Sequence, residues 1–264
     1  MSRLSVLILP LLCLAGLPAQ AGPLPTCPRP VKLALHDFGL LYSKAQQRGI
    51  DQDLVAELAR RSGCRFQVSS VPRARIWKML EAGHLDMATS GVLTAERAAY
   101  AYVIDVMALK NQLVLRRDVA QTSLSAFVGE PSLRLGVIRG FSYGAGYDEL
   151  IRLLRGLGRV DESTDFTQLY DKLAAGRFQA TLSQSINYYP ELQRRGLRER
   201  VRILDWMPHE GPMVGGLILA KRNFSAAELD KWRALVEGMR ADGSWRRILL
   251  GYLPEPEVES MLRF

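Results

Sequence analysis

The 264-residue sequence is poor in the side chains that most often perform chemistry: it holds three cysteines and three histidines. The histidines, His36, His84 and His209, show none of the short spacings at which two ligands meet on one metal. No glycine-rich phosphate loop and no dinucleotide fingerprint occurs, so no cofactor is expected. There is no repeat of solenoid length and no low-complexity tract. Beyond the amino terminus no apolar run reaches the ~20 residues of a spanning helix. The net charge of +8 raises nucleic acid as a partner. Yet the basic residues fall in scattered pairs, Arg60-Arg61, Arg116-Arg117, Arg194-Arg195 and Arg246-Arg247, with no basic tract interleaved with aromatics. Nucleic acid is therefore not an expected partner; the pattern is that of a solvated basic surface with some attraction for anions.

What is present begins with an export signal. Arg3 precedes the apolar run Leu4 to Gly16, and Ala19-Gln20-Ala21 gives the small-x-small pattern of a cleavage site. Cleavage after Ala21 is expected, leaving a chain that starts at Gly22. A lipid anchor on Cys13 is disfavoured, because Leu12 stands where a small residue is usual. The mature chain keeps Cys27 and Cys64, an even pair in a compartment where disulfides persist; a bridge between them is expected, two buried thiols being the alternative. A 48% hydrophobic and 23% charged composition is that of a globular protein, and about 240 residues make one large domain or two modest ones.

Along the chain, strand and helix signals alternate. Val31–His36, Arg65–Val71 and Leu85–Thr89 read as strands. Asp51–Ser62 and Arg75–Ala82 read as helices with apolar residues at helical spacing and a glycine after each, and a short helix is expected at Thr94–Ala99. This βαβαβ order implies a mostly parallel sheet with helices on both faces. Gln112–Leu115 is a lone apolar strand, after which a second set begins: strands Leu133–Ile138, Phe178–Leu182 and Val201–Leu204, with helices Ala145–Leu154, Phe166–Ala175 and Tyr188–Arg195. Strand Gly216–Ala220 follows, and Ser225-Ala226-Ala227-Glu228 is a capping box opening a final helix. Two α/β sets suggest two lobes, crossed by the lone strands Gln112–Leu115 and Gly216–Ala220. The expected division is 22–113 plus 214–264 for lobe one and 114–213 for lobe two. Ligands of open α/β sheets sit beyond the carboxyl ends of the strands, so both sets of ends would face one cleft that closes by a hinge.

Six short motifs, in order, carry a resemblance. Gly49-Ile50-Asp51-Gln52-Asp53-Leu54, Leu80-Glu81-Ala82-Gly83-His84-Leu85-Asp86, Thr94-Ala95-Glu96-Arg97, Gly136-Val137-Ile138-Arg139-Gly140-Phe141-Ser142, Leu173-Ala174-Ala175-Gly176-Arg177-Phe178-Gln179-Ala180 and Arg240-Ala241-Asp242-Gly243 resemble the pattern of the periplasmic solute-binding proteins of the polar amino acid type, family 3. The resemblance implies a type II two-lobed α/β fold in the periplasm, hinge closure on a small-molecule ligand, delivery to an inner-membrane permease of the ABC type, and a monomer. It implies that Arg97 clamps the ligand carboxylate, as a guanidinium fork does. It further implies that Ser142 offers a hydroxyl and N–H at a strand-to-helix turn, that Thr89 and Ser90 line the first-lobe side, and that His36, Phe38 or Tyr42 forms an aromatic wall. Arg73 and Arg75 flank the next helix start and read as solvated charges at the cleft mouth.

The sequence also departs from that pattern. Val92 stands where amino acid binders carry Ser or Thr, and Gln184 stands where an acid pairs with the ligand ammonium. Gln accepts a hydrogen bond but cannot neutralise a charge, and a desolvated unpaired charge is costly; Asn187, Tyr188 and Asp205 are candidate substitutes. Three alternatives remain open. One is a dehydratase resembling the cyclohexadienyl dehydratases on the same fold, with an acid as proton donor. Another is a sensor read by a membrane partner. The third is a hydrolase built on Gly140-Phe141-Ser142-Tyr143-Gly144, which satisfies G-x-S-x-G but lacks an upstream oxyanion loop.

Overall fold

A computed structural model describes residues 23–264; the expected export signal and its cleavage site after Ala21 lie outside the described residues. Two five-stranded sheets organise the chain. The first has the order β2-β1-β3-β10-β4 and is built from Val31–Leu35 (β1), Phe66–Ser70 (β2), Met87–Gly91 (β3), Ala101–Leu109 (β4) and Met213–Ala220 (β10). The second has the order β7-β6-β8-β5-β9, from Gln112–Arg116 (β5), Leu135–Ile138 (β6), Val160–Ser163 (β7), Ala180–Ser183 (β8) and Val201–Leu204 (β9). In each, the first three strands are parallel and the last two pairings antiparallel. The sheets are therefore mixed, where the βαβαβ order alone led to mostly parallel ones.

The antiparallel pairings arise where the chain crosses between sheets. It passes once through 110–111, between β4 and β5, and returns through 205–212, between β9 and β10. Lys110 and Asp205 hold the two crossings together at 2.6 Å. Gly216 marks a bulge in β10 against β4, where a Cβ would lie 2.2 Å from the Ile104 carbonyl oxygen.

Helices cover both faces of each sheet, so the central strands are buried on both sides and read as continuous apolar runs. On the first sheet Leu33 and Leu35 pack with Ile50–Ser62 (α1), Ala226–Ala241 (α7) and Ser244–Leu250 (α8) around Trp232 and Trp245. Ala34 faces Ile76, Trp77 and Leu80 of Arg73–Glu81 (α2). On the second sheet Leu135 and Val137 meet Tyr147 and Leu154 of Ala145–Gly156 (α4) and Phe127 of Leu124–Gly129 (α3). Val114 meets Leu169 and Leu173 of Phe166–Ala174 (α5) and Leu192 of Ser185–Arg194 (α6). Full burial of each such side chain stabilises by roughly 1.5–3 kcal/mol. Glu255–Leu262 (α9) closes the chain on the first lobe. Among the described residues no helix is long and apolar enough to cross a membrane.

Two local expectations change. Thr94–Ala99 is a turn ending in a single 3-10 turn, Arg97–Ala99, too short to make a helix. At α7 only half of the capping box forms: Ser225 accepts from the Glu228 N–H, while the Glu228 carboxylate accepts from the Thr26 N–H and Lys231. Cys27 and Cys64 are bonded across 37 residues, tying the amino-terminal segment to the end of α1. Closing a loop of that length stabilises by about 4 kcal/mol in the chain-entropy account. Cys64→Ser is thus expected to lower the melting temperature by roughly 10 °C. A drop under about 2 °C in a thermal melt, on the same scale, would show that the Thr26–Glu228 contact suffices to hold the segment.

Candidate functional site

The first layer of the site forms where β1 and β3 end. α1 starts at Ile50, which puts Asp51 in its first turn, a position that favours a carboxylate. Asp51 is fully buried and accepts hydrogen bonds from the Thr89 hydroxyl at 2.7 Å and the Ser90 hydroxyl at 2.7 Å. Burial pushes its carboxyl up to about 6, against the opposing pull of those hydroxyls and of Arg73. Arg73, the first residue of α2, donates from Nη1 to the Thr89 carbonyl at 3.0 Å. Burial lowers its pKa while Asp51 raises it, and a guanidinium so placed stays a cation. Ser90 has φ +53°, a left-handed conformation uncommon outside glycine and of a kind that clusters at ligand sites.

Asp51 sets a pH dependence. Its folded pKa lies above the unfolded value, so the stability it contributes is complete below about pH 4 and is lost as pH rises to about 6. The loss is about 3 kcal/mol. Urea unfolding from pH 4 to 7 should show this slope in the wild type and not in Asp51→Asn; equal slopes would remove Asp51 from the account.

The second layer comes from the other lobe. Gln184 directly follows β8 and is the N-cap residue of α6, yet its side chain makes no capping bond, and the residue is 3% exposed. Phe141 follows β6. Together these residues close a cavity of about 220 Å³ between the sheets, with Arg73, His36, Ser90 and Gln184 as its polar members. The rest is apolar: Phe38, Leu41, Val92, Met107, Leu109, Phe141 and Met213, beside Gly215. Burial, then the Arg73 charge, pulls His36 down to about 4, so its imidazole is neutral.

Phe38 and Phe141 stack at 6.3 Å across the lobes, with Phe166 edge-on to both. They form the wall between this cavity and an outer groove of about 620 Å³ that contains Asp37, Asp165 and Glu191. Below that wall the lobes are joined by the backbone. Pro190 lies inside α6 and has no N–H for the Ile186 carbonyl four residues earlier. That carbonyl accepts instead from Leu40 N–H of the first lobe, at 2.9 Å. Ile186 packs in the first lobe's core, and the Tyr188 hydroxyl donates to Glu257 of α9 at 2.8 Å.

Of the expected site residues, Phe38, Ser90 and Gln184 are brought together in the cavity. Thr89 is buried one layer behind, on Asp51, and Tyr42 is buried in the first lobe's core. Arg97 does not line the cavity: its guanidinium stacks 4.1 Å over the Trp77 ring and donates to the Val92 carbonyl. Ser142 does not either. It is exposed, and its hydroxyl donates to Asp148 at 2.6 Å. The amides of that turn are also taken, Tyr143 N–H by Asp148 and Gly146 N–H by Glu210, so the chain's own carboxylates occupy the anion position. The same bonds leave the G-x-S-x-G serine paired to a carboxylate with no imidazole. Asn187, Tyr188 and Asp205 do not line the cavity; Asp205 is held by Lys110. Arg73, read from the sequence as a solvated charge, is the cation that does.

Solved structures share this fold. An ancestral cationic amino acid solute-binding protein aligns with a TM-score of 0.67 at 17% identity, covering 84% of this chain and 94% of that one. A histidine kinase sensor domain with similarity to periplasmic binding proteins aligns at 0.62 and 14%, covering 86% and 96%. The substrate-binding protein of an amino acid ABC transporter aligns at 0.60 and 15%, covering 85% and 99%. No curated protein matches. Residues 33–255 match the family model of bacterial extracellular solute-binding proteins, family 3, and the chain belongs to that family.

Proposed function

We propose that the protein captures a small carboxylate-bearing solute in the interlobe cavity and delivers it to a membrane permease of the ABC type. Capture occurs by closure about the crossings at 110–111 and 205–212, with one lobe on each sheet. The observation that carries this reading is the Arg73 guanidinium, a single cation in an otherwise uncharged cavity walled by both lobes. A planar fork of N–H donors suits a carboxylate better than any neutral group. The volume, below the roughly 300–1,000 Å³ of drug-sized sites, calls for a small ligand.

A ligand that binds only the folded state at 100 times its Kd adds about 2.7 kcal/mol of stability. A thermal-shift screen of organic acids and amino acids is therefore expected to raise the melting temperature by roughly 5–10 °C for the best carboxylate. If no carboxylate shifts it, the reading is wrong.

The fold shared with a sensor kinase domain supports a second reading, in which the closed form is read by a signalling partner. Genes for a permease and an ATPase beside this one would favour transport. As a dehydratase the cavity would need a proton donor, and its lining offers only a His36 held neutral by burial.

A further inference from the structure

We propose that the cavity selects carboxylates that carry no ammonium group: simple alkyl, aryl, 2-oxo or 2-hydroxy acids, in preference to the α-amino acids of the same skeleton. This rests on the carboxylate reading above and narrows it.

An ammonium buried in a closed site needs acceptors for three protons and a countercharge. Among the residues lining this cavity there is no carboxylate. The one behind it, Asp51, is fully buried, and both its oxygens already accept hydroxyl protons from Thr89 and Ser90. A ligand ammonium there would meet the Arg73 guanidinium, with no carboxylate among the lining residues to offset it. The other carboxylates around the cleft are engaged elsewhere. Asp205 pairs with Lys110, and Glu210 receives the Gly146 N–H. Asp165 caps α5 through the Gln168 N–H, and Glu191 is held by Arg194 and Arg195. Asp37, Asp165 and Glu191 lie in the outer groove, past the Phe38–Phe141 wall.

What faces the ligand at the second lobe is the Gln184 amide, 97% buried and free of a capping bond. An amide donates to an oxo group and exchanges hydrogen bonds with a hydroxyl, but supplies no charge. Around it stand Met107, Leu109, Met213 and the two phenylalanines, a surface for an apolar body.

Matched pairs test this by titration calorimetry on the mature protein: phenylalanine against 3-phenylpropanoate and its 2-oxo acid, and leucine against 4-methylpentanoate and its 2-oxo acid. In the wild type the best ammonium-free member of a pair is expected to bind at least ~100-fold tighter than the amino acid. Gln184→Glu, which supplies the missing anion, is expected to narrow that ratio by at least ~10-fold. An amino acid that binds the wild type as tightly as its ammonium-free partners overturns the proposal, whatever the variant does. An unchanged ratio in a folded Gln184→Glu overturns the role given to Gln184. If no member of any pair binds and no carboxylate of the thermal-shift screen does either, the carboxylate reading fails first and the proposal falls with it.

Discussion

An alanine at position 39 is expected to hold the lobes apart and cut affinity for the carboxylate selected by screening by at least ~100-fold, with both lobes still folded. Gly39 sits at φ +53° in the strap between β1 and α1, with the second lobe pressed against it. A Cβ there would lie 2.3 Å from the Asn187 amide oxygen and 2.6 Å from the Ile186 carbonyl oxygen. Both belong to α6, and the Ile186 oxygen is backbone, so it cannot step aside within the closed arrangement. Parting the lobes relieves the clash but breaks the Leu40–Ile186 hydrogen bond and the phenylalanine stack. The left-handed backbone costs alanine about 1 kcal/mol in open and closed states alike, which lowers stability slightly without choosing between them. A ligand cannot shift an equilibrium by more than its differential affinity for the two forms, so a blocked closed state appears as lost binding. Small-angle scattering should give a larger radius of gyration for the variant that ligand no longer reduces. A variant that contracts and binds like the wild type would show that the strap plays no part in closure.

That strap was hidden in the sequence for a physical reason. The helix expected there began at Tyr188, whereas α6 starts at Ser185 and carries Pro190 inside it. The proline is tolerated because its missing hydrogen bond is made by another lobe, and no local pattern reports a partner nearly 150 positions away. The early start also sets Gln184 at the helix cap facing the cavity. By contrast, β1, α1 and β8 were legible because their apolar periodicity matches their burial on this fold. β4 was not: Ala101–Leu109 mixes exposed and buried residues in an irregular order, since it pairs on one side only and carries a register shift against β10. Motif order located the fold and the turn after β3 but not which arginine fills it. Position alone cannot say that Trp77 offers a ring face to Arg97 at 4.1 Å, or that Asp51 compensates a cation at the start of α2, where the helix dipole disfavours one.

The contest between the two arginines gives the second large effect. Arg73→Met is expected to weaken carboxylate binding by at least ~100-fold, since a buried charge pair with one partner removed costs about 2–5 kcal/mol. Arg97→Ala should cost less than ~10-fold, the loss being that of a ring contact and a carbonyl bond outside the cavity. The single Arg73 variant also strips Asp51 of its compensating charge. Its carboxyl is then expected to rise further above about 6, and stability at neutral pH to fall. Pairing it with Asp51→Asn removes both charges together and separates the two consequences. In Arg73→Met/Asp51→Asn, stability should recover toward the wild-type value while binding stays lost. Were the double variant to bind like the wild type, or Arg97→Ala to do the greater harm, the clamp would be Arg97 as its motif implies. The guanidinium in the cavity would then serve only to balance the aspartate behind it.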